Sequence, residues 1–245
     1  MSTKQVGPIQ FQGKLGTIVG RATRKGTMSL SMAPTKYTDP QTEKQVRART
    51  RFLAVQPFPG SVPREAFAGL ARSAQSGKMS LKNLAFKANM KAQKGQWTET
   101  PEGEGTITQE MDKACLVFSM GNTQLQVSKL DVTTPNTIKF TATFPQDVPT
   151  VEDSKVIYHA IVYNNDYAIF KHVVQEDETT FTITTPEAWN GMKVWVYVYA
   201  QYFDSEATDF DYSALSPIAA TARFLAENAK LAATKTAFVG NATIG

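Results

Sequence analysis

The sequence predicts an α+β protein, in which a basic N-terminal hairpin and short helices precede an immunoglobulin- or fibronectin-like antiparallel β-sandwich. Apolar residues recur at helical spacing in the first 100 residues and at a spacing of two from about residue 114 onward. Residues 193–202 are apolar or aromatic on both alternating faces. This pattern is typical of a central strand whose two faces are both covered.

The composition is that of a folded protein of one or two domains, with 42% hydrophobic and 20% charged residues among 245. No run approaches the roughly 20 apolar residues of a membrane helix, so we expect no membrane span. The start of the sequence lacks the apolar stretch of a secretory signal. The single cysteine, Cys115, fits folding in a reducing cytoplasm and is predicted to be a small buried hydrophobic residue.

Charge is distributed unevenly along the chain. Residues 1–100 carry 17 Lys/Arg and 4 Asp/Glu, whereas residues 101–245 carry 9 Lys/Arg and 18 Asp/Glu. The net balance is therefore +13 in the first part and −9 in the second, within an overall charge of +4. This division indicates two functional regions, of which the basic one meets a negative partner: a nucleic acid or the acidic half of a neighbouring copy.

A β-hairpin is predicted near the N-terminus, because two strand-like runs, 15–20 and 27–32, flank a short basic turn. The glycines of this segment do not match a phosphate-binding loop, since no Gly-Lys-Ser/Thr follows them, and they predict turns and close backbone approach instead. The basic residues are either a solvated hairpin tip or an anion contact. They are Arg21, Arg24 and Lys25.

Three short helices are predicted after the hairpin. Thr42 and Gln45 form a candidate capping box for the first, residues 64–74 form the second, and Ser80 caps the third. The first helix has a thin apolar stripe, which must pack on a neighbouring element or on another chain. The stripe consists of Ala48, Phe52 and Val55.

Three arginines of the first helix lie mostly off this stripe and extend the set of candidate anion or partner contacts. They are Arg47, Arg49 and Arg51. The lysines of the third helix indicate a solvated face, and residues 95–110 are predicted to be a linker.

Eight strands are predicted beyond the linker, and turn signals separate several of them. About seven short strands over roughly 100 residues are typical of a sandwich. The predicted strands are 115–119, 123–131, 137–144, 155–164, 167–174, 179–184, 194–203 and 211–215.

The predicted organisation has three parts: a basic arm with short helices over 1–100, the sandwich over 112–215, and a C-terminal helix and tail over 216–245. Ser216 and Pro217 predict the start of that last helix. The tail after Lys235 is predicted to order only against a partner.

No catalytic, metal-binding or cofactor-binding set stands out, so the chain is predicted not to be an enzyme and to need no cofactor. His159 and His172 each lie in an apolar strand, where a packed histidine is the expected arrangement. No Cys/His set has zinc spacing. The acidic clusters fall in predicted loops without the spacing of a calcium-binding loop.

Two N-terminal stretches form recognisable motifs: Gly13-Lys-Leu-Gly-Thr-Ile-Val-Gly-Arg and Thr38-Asp-Pro-Gln-Thr-Glu-Lys-Gln-Val-Arg-Ala-Arg-Thr-Arg-Phe. Through them the chain resembles a family of unknown function found in Bacteroides-group bacteria and their phages, and the resemblance covers roughly residues 9–213. Asp39 replaces the usual Asn, and the tryptophan that often follows the glycines is absent. Leu116-Val-Phe-Ser-Met-Gly and Ala160-Ile-Val-Tyr-Asn are also similar. The resemblance assigns no catalytic residues and implies a phage or prophage origin.

The function predicted from these observations is that of a structural component of a phage particle, located in the virion and assembled in the host cytoplasm. Its basic N-terminal region would dock onto copies of itself and other virion proteins. One alternative is a nucleic-acid-binding protein that uses the six basic residues named above. Another is a surface- or glycan-binding sandwich, whose signature would be exposed aromatic side chains at Trp189, Trp195, Tyr197 and Tyr199.

Overall fold

The chain forms a mixed structure of helices and antiparallel sheets, which confirms the α+β class. The computed structural model describes residues 3–5, 13–22, 28–33, 42–77, 79–102, 106–143, 154–173, 179–204 and 232–244. Two compact units are distinguished, Met1–Glu43 and Lys44–Gly245. The second unit therefore holds residues on both sides of the predicted boundary near residue 100.

The first unit is a sheet of four short strands in the order β1-β4-β3-β2, all antiparallel. The strands are β1 (Thr3–Gln5), β2 (Gly13–Leu15), β3 (Ile18–Ala22) and β4 (Met28–Met32). The prediction of one strand over 15–20 is wrong, because the chain turns at Gly16-Thr17 and Leu15 pairs with Ile18. Gly16 has φ +58°, which favours glycine. The predicted basic tip, with Arg24 and Lys25, lies outside the described residues.

The second unit begins with a helical segment. It contains α1 (Glu43–Val55), α2 (Phe58–Ser61), a 3₁₀ helix (Arg64–Leu70), α3 (Ala71–Ser76) and α4 (Leu81–Ala92). The predicted cap of the third helix is confirmed, since the Ser80 hydroxyl accepts the backbone N–H of Asn83. Helix α2 was not predicted, because its prolines indicate breaks; Pro59 lies in its first turn, where no N–H partner is needed.

Two predictions between residues 95 and 119 are wrong. The predicted linker contains a hairpin, in which β5 (Thr98–Glu102) pairs with β6 (Thr106–Glu110). The predicted strand over 115–119 is a 3₁₀ turn (Lys113–Cys115) followed by irregular chain.

The later strands agree better with the sequence. They are β7 (Gln126–Val127), β8 (Thr137–Thr143), β9 (Ser154–Tyr163), β10 (Tyr167–Val173), β11 (Thr180–Thr184), β12 (Lys193–Asp204), β13 (Ala232–Ala233) and β14 (Ala237–Thr243). The first of these is much shorter than the predicted 123–131. The predicted strand 211–215 and the predicted helix from Ser216 lie outside the described residues. The prediction that the tail orders only against a partner is wrong, because β14 pairs with β12.

Strand β12 is central, as its sequence predicts. It lies between β9 and the C-terminal strands in a sheet of order β10-β9-β12-β13, where β14 also pairs with β12. Its valines at 194, 196 and 198 share a buried cluster with Ile138 and Phe140 of the sheet β11-β8-β7. On the opposite face, Tyr197 and Tyr199 are fully buried in a cluster with the helical segment. Both faces of this strand are therefore covered.

Candidate interaction surface

The sheet of the first unit exposes three apolar side chains in a row across its strands. Leu15 lies directly opposite Ile18, and Ile18 lies directly opposite Met32. Directly opposed residues in antiparallel strands point to the same face. The three side chains, which we call the apolar row, are 67%, 42% and 75% exposed. Such a row is unusual for a surface that meets only water.

The charged side chains of this sheet point the other way. Lys14 lies opposite Val19, and Arg21 lies opposite Ser29, so all four share the face that the apolar row does not. Lys14 and Arg21 are exposed. Lys14 and Arg21 are the charged residues among the sheet residues whose side chains are described. Because both lie on the opposite face, the described part of the face that carries the apolar row is neutral.

The strands of this sheet are short, three to five residues each. A small sheet owes much of its stability to its hydrophobic face. Covering the exposed fractions of the apolar row would contribute about 3–5 kcal/mol, from the usual 1.5–3 kcal/mol per fully buried aliphatic side chain. Any surface that covers the row would therefore stabilise this unit.

Helix α1 presents a second apolar surface, where the sequence predicts a stripe in need of a partner. Val55 is fully buried, but Phe52 and Leu53 are 50% and 62% exposed. Ala48 is exposed as well. The ring of Phe52 packs on that of Phe86 in α4, with 4.9 Å between centroids. The predicted stripe is thus covered at its C-terminal end and open along the rest.

Two of the arginines predicted to contact an anion are engaged by a carboxylate of the same chain. Arg51 donates from Nε to Gln109 Oε1 at 2.6 Å and from Nη2 to Glu99 Oε1 at 3.3 Å. Arg47 Nε lies 3.5 Å from Glu99 Oε2. The guanidinium of Arg51 also lies 5.6 Å from the centre of the Trp97 ring. These arginines hold the β5–β6 hairpin against α1, which reduces the positive charge they offer to a phosphate.

The structure brings together only part of the predicted basic set. Arg47 and Arg51 meet at Glu99, and Arg49 is exposed on α1. Arg21 is exposed on β3 in the first unit. The contact with Glu99 could not be found from spacing, because 48 residues separate it from Arg51.

The histidine with a described side chain is packed, as predicted. His159 is 3% exposed, and its ring stacks on Tyr199 at 4.7 Å between centroids with 6° between planes. Burial, together with the charge of Lys171, lowers the pKa of His159 to about 3, while Gln201 acts in the opposite direction. A histidine that stays neutral and enclosed suits packing better than proton transfer.

Metal and thiol chemistry find no support in the described part of the chain. No three His, Cys, Asp or Glu side chains there are grouped as metal ligands. Cys115 is half-buried rather than buried, and its thiol donates to Asp112 Oδ2 at 3.5 Å. Burial and the Asp112 carboxylate raise the pKa of this thiol, which disfavours the reactive thiolate.

The aromatic residues proposed as a glycan-binding signature are not exposed. Tyr197 and Tyr199 are fully buried, and Trp189 and Trp195 are half-buried against the two core clusters. The ammonium of Lys113 lies 4.2 Å from the centre of the Trp195 ring. These positions weaken the glycan-binding alternative.

A shallow pocket of about 220 Å³ lies between α2 and the β9–β10 turn. It is lined partly by Phe58, Tyr163, Asp166 and Tyr167. Its volume is below the roughly 300–1,000 Å³ of typical small-molecule sites, and it offers no group of converging charges.

No helix among the described residues is long and apolar enough to cross a membrane. No protein-family model matches the chain. A search of curated proteins gives no significant match to its sequence.

Proposed function

We propose that this chain is a non-enzymatic structural protein of a phage particle, a capsid, neck or tail accessory component that docks through its N-terminal region. Its partners are copies of itself and other virion proteins, and it is assembled in the host cytoplasm. The observation that carries the docking role is the apolar row, whose side chains at Leu15, Ile18 and Met32 are exposed side by side on three adjacent strands. The phage context rests on the resemblance of the N-terminal motifs.

We also propose that the later strands form a fibronectin-like sandwich. Strands β7, β8 and β11 lie in one sheet, and β9, β10, β12, β13 and β14 lie in the other. This exchange of strands between two sheets supports a Greek-key connection of the kind that sandwiches use. The cluster shared by Phe140, Phe181 and the valines of β12 supports close packing of the two sheets.

The particle role is tested by mass spectrometry of purified virions from a host that carries this gene. We expect peptides of the chain at the stoichiometry of a structural protein, retained after nuclease treatment and density-gradient purification. Absence from the particles, with the protein present in the cell lysate, would overturn the proposal.

Nucleic-acid binding is the competing outcome and has its own test. The purified chain is mixed with double-stranded DNA at 50 and 200 mM salt, and binding is followed by fluorescence anisotropy. A protein that uses six phosphate contacts loses roughly a thousandfold in affinity over this range. Tight, salt-sensitive binding that is weakened by Arg21→Gln and Arg49→Gln would favour the alternative over the docking role.

A further inference from the structure

We propose that the shallow pocket between α2 and the β9–β10 turn binds one cationic group, the ammonium of a lysine or the guanidinium of an arginine presented by another molecule. The inference concerns this pocket alone and does not depend on a role in a particle. Three features lead to it: aromatic walls, a carboxylate among the lining residues, and a volume that suits a single side chain.

Aromatic rings from two parts of the fold wall the pocket. Tyr163 in β9 lies directly opposite Tyr167 in β10, with 4.6 Å between ring centroids, and both line the pocket. Phe58 of α2 is buried and meets the Tyr167 ring in an edge-to-face arrangement at 5.9 Å. Ring faces attract cations through their quadrupole, and several rings around one cavity are a known means of holding an ammonium group.

An ammonium of the same chain already uses this chemistry beside the pocket. Nζ of Lys113 lies 4.7 Å from the centre of the Tyr163 ring and 4.2 Å from that of Trp195. Trp195, Tyr163 and Tyr167 are directly opposed on three adjacent strands. The first two rings thus hold an ammonium, whereas the last two line the pocket, where Lys113 is not among the described lining residues.

Asp166 makes the pocket selective for positive charge. Its Oδ1 accepts the Tyr167 N–H at 2.8 Å, which fixes the carboxylate in the pocket wall. No lysine or arginine of the described residues forms an ion pair with it, and none is described as lining the pocket. Its second oxygen can therefore accept a charge-assisted hydrogen bond from an incoming cation. An anion would be repelled, and an apolar group would gain nothing from the carboxylate.

The size of the pocket fits one side chain. Its volume of about 220 Å³ is small for a metabolite but accommodates the end of a lysine or arginine. Ala54, Pro57 and Met111 also line it and offer apolar contact to the methylenes behind the charged group. The chain itself is one source of such side chains, since its first 100 residues contain 17 Lys/Arg, and a different protein is the other.

The test titrates the ¹⁵N-labelled full chain, at constant ionic strength, with N-acetyl-lysine methylamide or with N-acetyl-norleucine methylamide. The norleucine side chain keeps a four-carbon chain and lacks the ammonium. We expect the lysine probe to shift the amide signals of Asn165, Asp166 and Tyr167 until they saturate, with a dissociation constant in the millimolar range. The norleucine probe should leave these signals in place at the same concentrations.

A matched pair of variants tests the carboxylate. Asp166→Asn removes the charge and keeps an oxygen that can accept the Tyr167 N–H, so the turn is preserved. We expect it to weaken binding of the lysine probe about two- to fivefold, the effect of one partly solvated ion pair. Glu187→Gln removes an exposed carboxylate that is not described as lining the pocket, and it should leave the affinity unchanged.

Equal shifts with both probes, or an Asp166→Asn protein that binds the lysine probe as tightly as the native one, would overturn the inference. Sedimentation velocity of the full chain at low salt then identifies the source of the cation. Self-association that Asp166→Asn weakens and that excess lysine probe reverses supports the site and assigns its cation to a second copy. A chain that binds the probe without self-association supports the site equally and assigns the cation to a different protein.

Discussion

The side chain of Asn89 pairs with the backbone of Val117 as a neighbouring strand would. Asn89 Nδ2 donates to the Val117 carbonyl, and Asn89 Oδ1 accepts the Val117 N–H, both at 2.9 Å. Gln93, the C-cap residue of α4, makes the same pair of bonds to Asp112, at 2.7 and 2.8 Å. Both amides are fully buried. A side chain of α4 and that of its C-cap residue thus satisfy backbone groups of Asp112 and Val117, as a paired strand would.

Replacing Asn89 by alanine should destabilise the protein by about 2–3 kcal/mol. The substitution leaves a donor and an acceptor of Val117 without partners in a mostly buried place, and unsatisfied buried groups cost about 1–3 kcal/mol. The measurement is the urea midpoint followed by circular dichroism. The matched control is Lys87→Ala, an exposed site on the same helix, which should change stability by less than about 0.5 kcal/mol. An Asn89→Ala protein as stable as the control would contradict this account.

Gly69 lies where any side chain would overlap Ser119. A Cβ added to Gly69 would meet the Ser119 hydroxyl, whereas one added to Gly60 meets nothing within 4 Å. We expect Gly69→Ala to lower the free energy of unfolding by about 1–3 kcal/mol, as overpacking does. Gly60→Ala should leave it unchanged or raise it by up to about 1 kcal/mol, because alanine favours helix α2.

A double mutant separates this clash from a general loss of packing. Ser119→Gly removes the overlapping atoms but also the hydrogen bond from its hydroxyl to the Thr234 carbonyl at 2.6 Å. If the clash is the cause, Gly69→Ala should cost much less in the Ser119→Gly background than in the native one, as read by a thermal double-mutant cycle. If Gly69→Ala lowers the free energy of unfolding equally in both backgrounds, the loss does not come from overlap with Ser119.

The sequence predicts those elements whose burial follows a simple period. In β8, Ile138, Phe140 and Ala142 are buried and alternate with less buried neighbours, as predicted. The same alternation predicts a strand at Leu116 and Phe118, and this prediction is wrong. Both side chains are buried, but the backbone of the segment bonds to side chains such as that of Asn89 rather than to a strand. The period of the apolar residues predicts which side chains are buried. It does not predict which groups bond to the backbone, because folding brings those groups together from distant parts of the sequence.

Contacts between residues far apart in the sequence account for the other differences between the predicted and the observed structure. The strand Ala237–Thr243 pairs with β12, but its apolar residues Ala237, Phe238 and Val239 are consecutive and its remaining residues are small or polar, so the sequence shows no strong alternation. The carboxylate that holds Arg47 and Arg51 lies on a hairpin predicted as a linker. Of the candidate surface, the sequence supplied the basic residues and the stripe of α1, and it did not show that Leu15, Ile18 and Met32 would align across three strands.

The ion pair between Arg51 and Glu99 should contribute little to stability. The two side chains are 36% and 34% exposed, and such partly exposed pairs typically contribute about 0.2–1 kcal/mol. A double-mutant cycle of Arg51→Ala and Glu99→Ala should give a coupling free energy in that range, decreasing at 1 M salt. The control cycle combines Glu99→Ala with Lys91→Ala, an exposed residue of α4, and should give a coupling near zero. A coupling above about 2 kcal/mol would assign the Arg51–Glu99 pair a much larger structural role.

The burial of His159 should make the protein sensitive to acid in a predictable interval. In the folded state its pKa lies near 3, whereas an unfolded histidine has a pKa of about 6.5. The unfolded chain therefore binds more protons between these values, so this contribution to stability is fully present above pH 6.5 and is lost as the pH falls towards 3. Between pH 7 and pH 4 the loss should be about 3 kcal/mol, at about 1.4 kcal/mol per pKa unit.

The variant His159→Phe isolates this contribution, because phenylalanine keeps a ring stacked on Tyr199 and cannot be protonated. The free energy of unfolding is measured by urea titration at several pH values for both proteins, so that the carboxylates common to them cancel in the difference. We expect the native protein to lose stability relative to the variant as the pH falls below 6.5. Parallel curves for the two proteins would mean that His159 is protonated as easily in the folded state as in the unfolded one, and its burial beside Lys171 would then have no effect on its pKa.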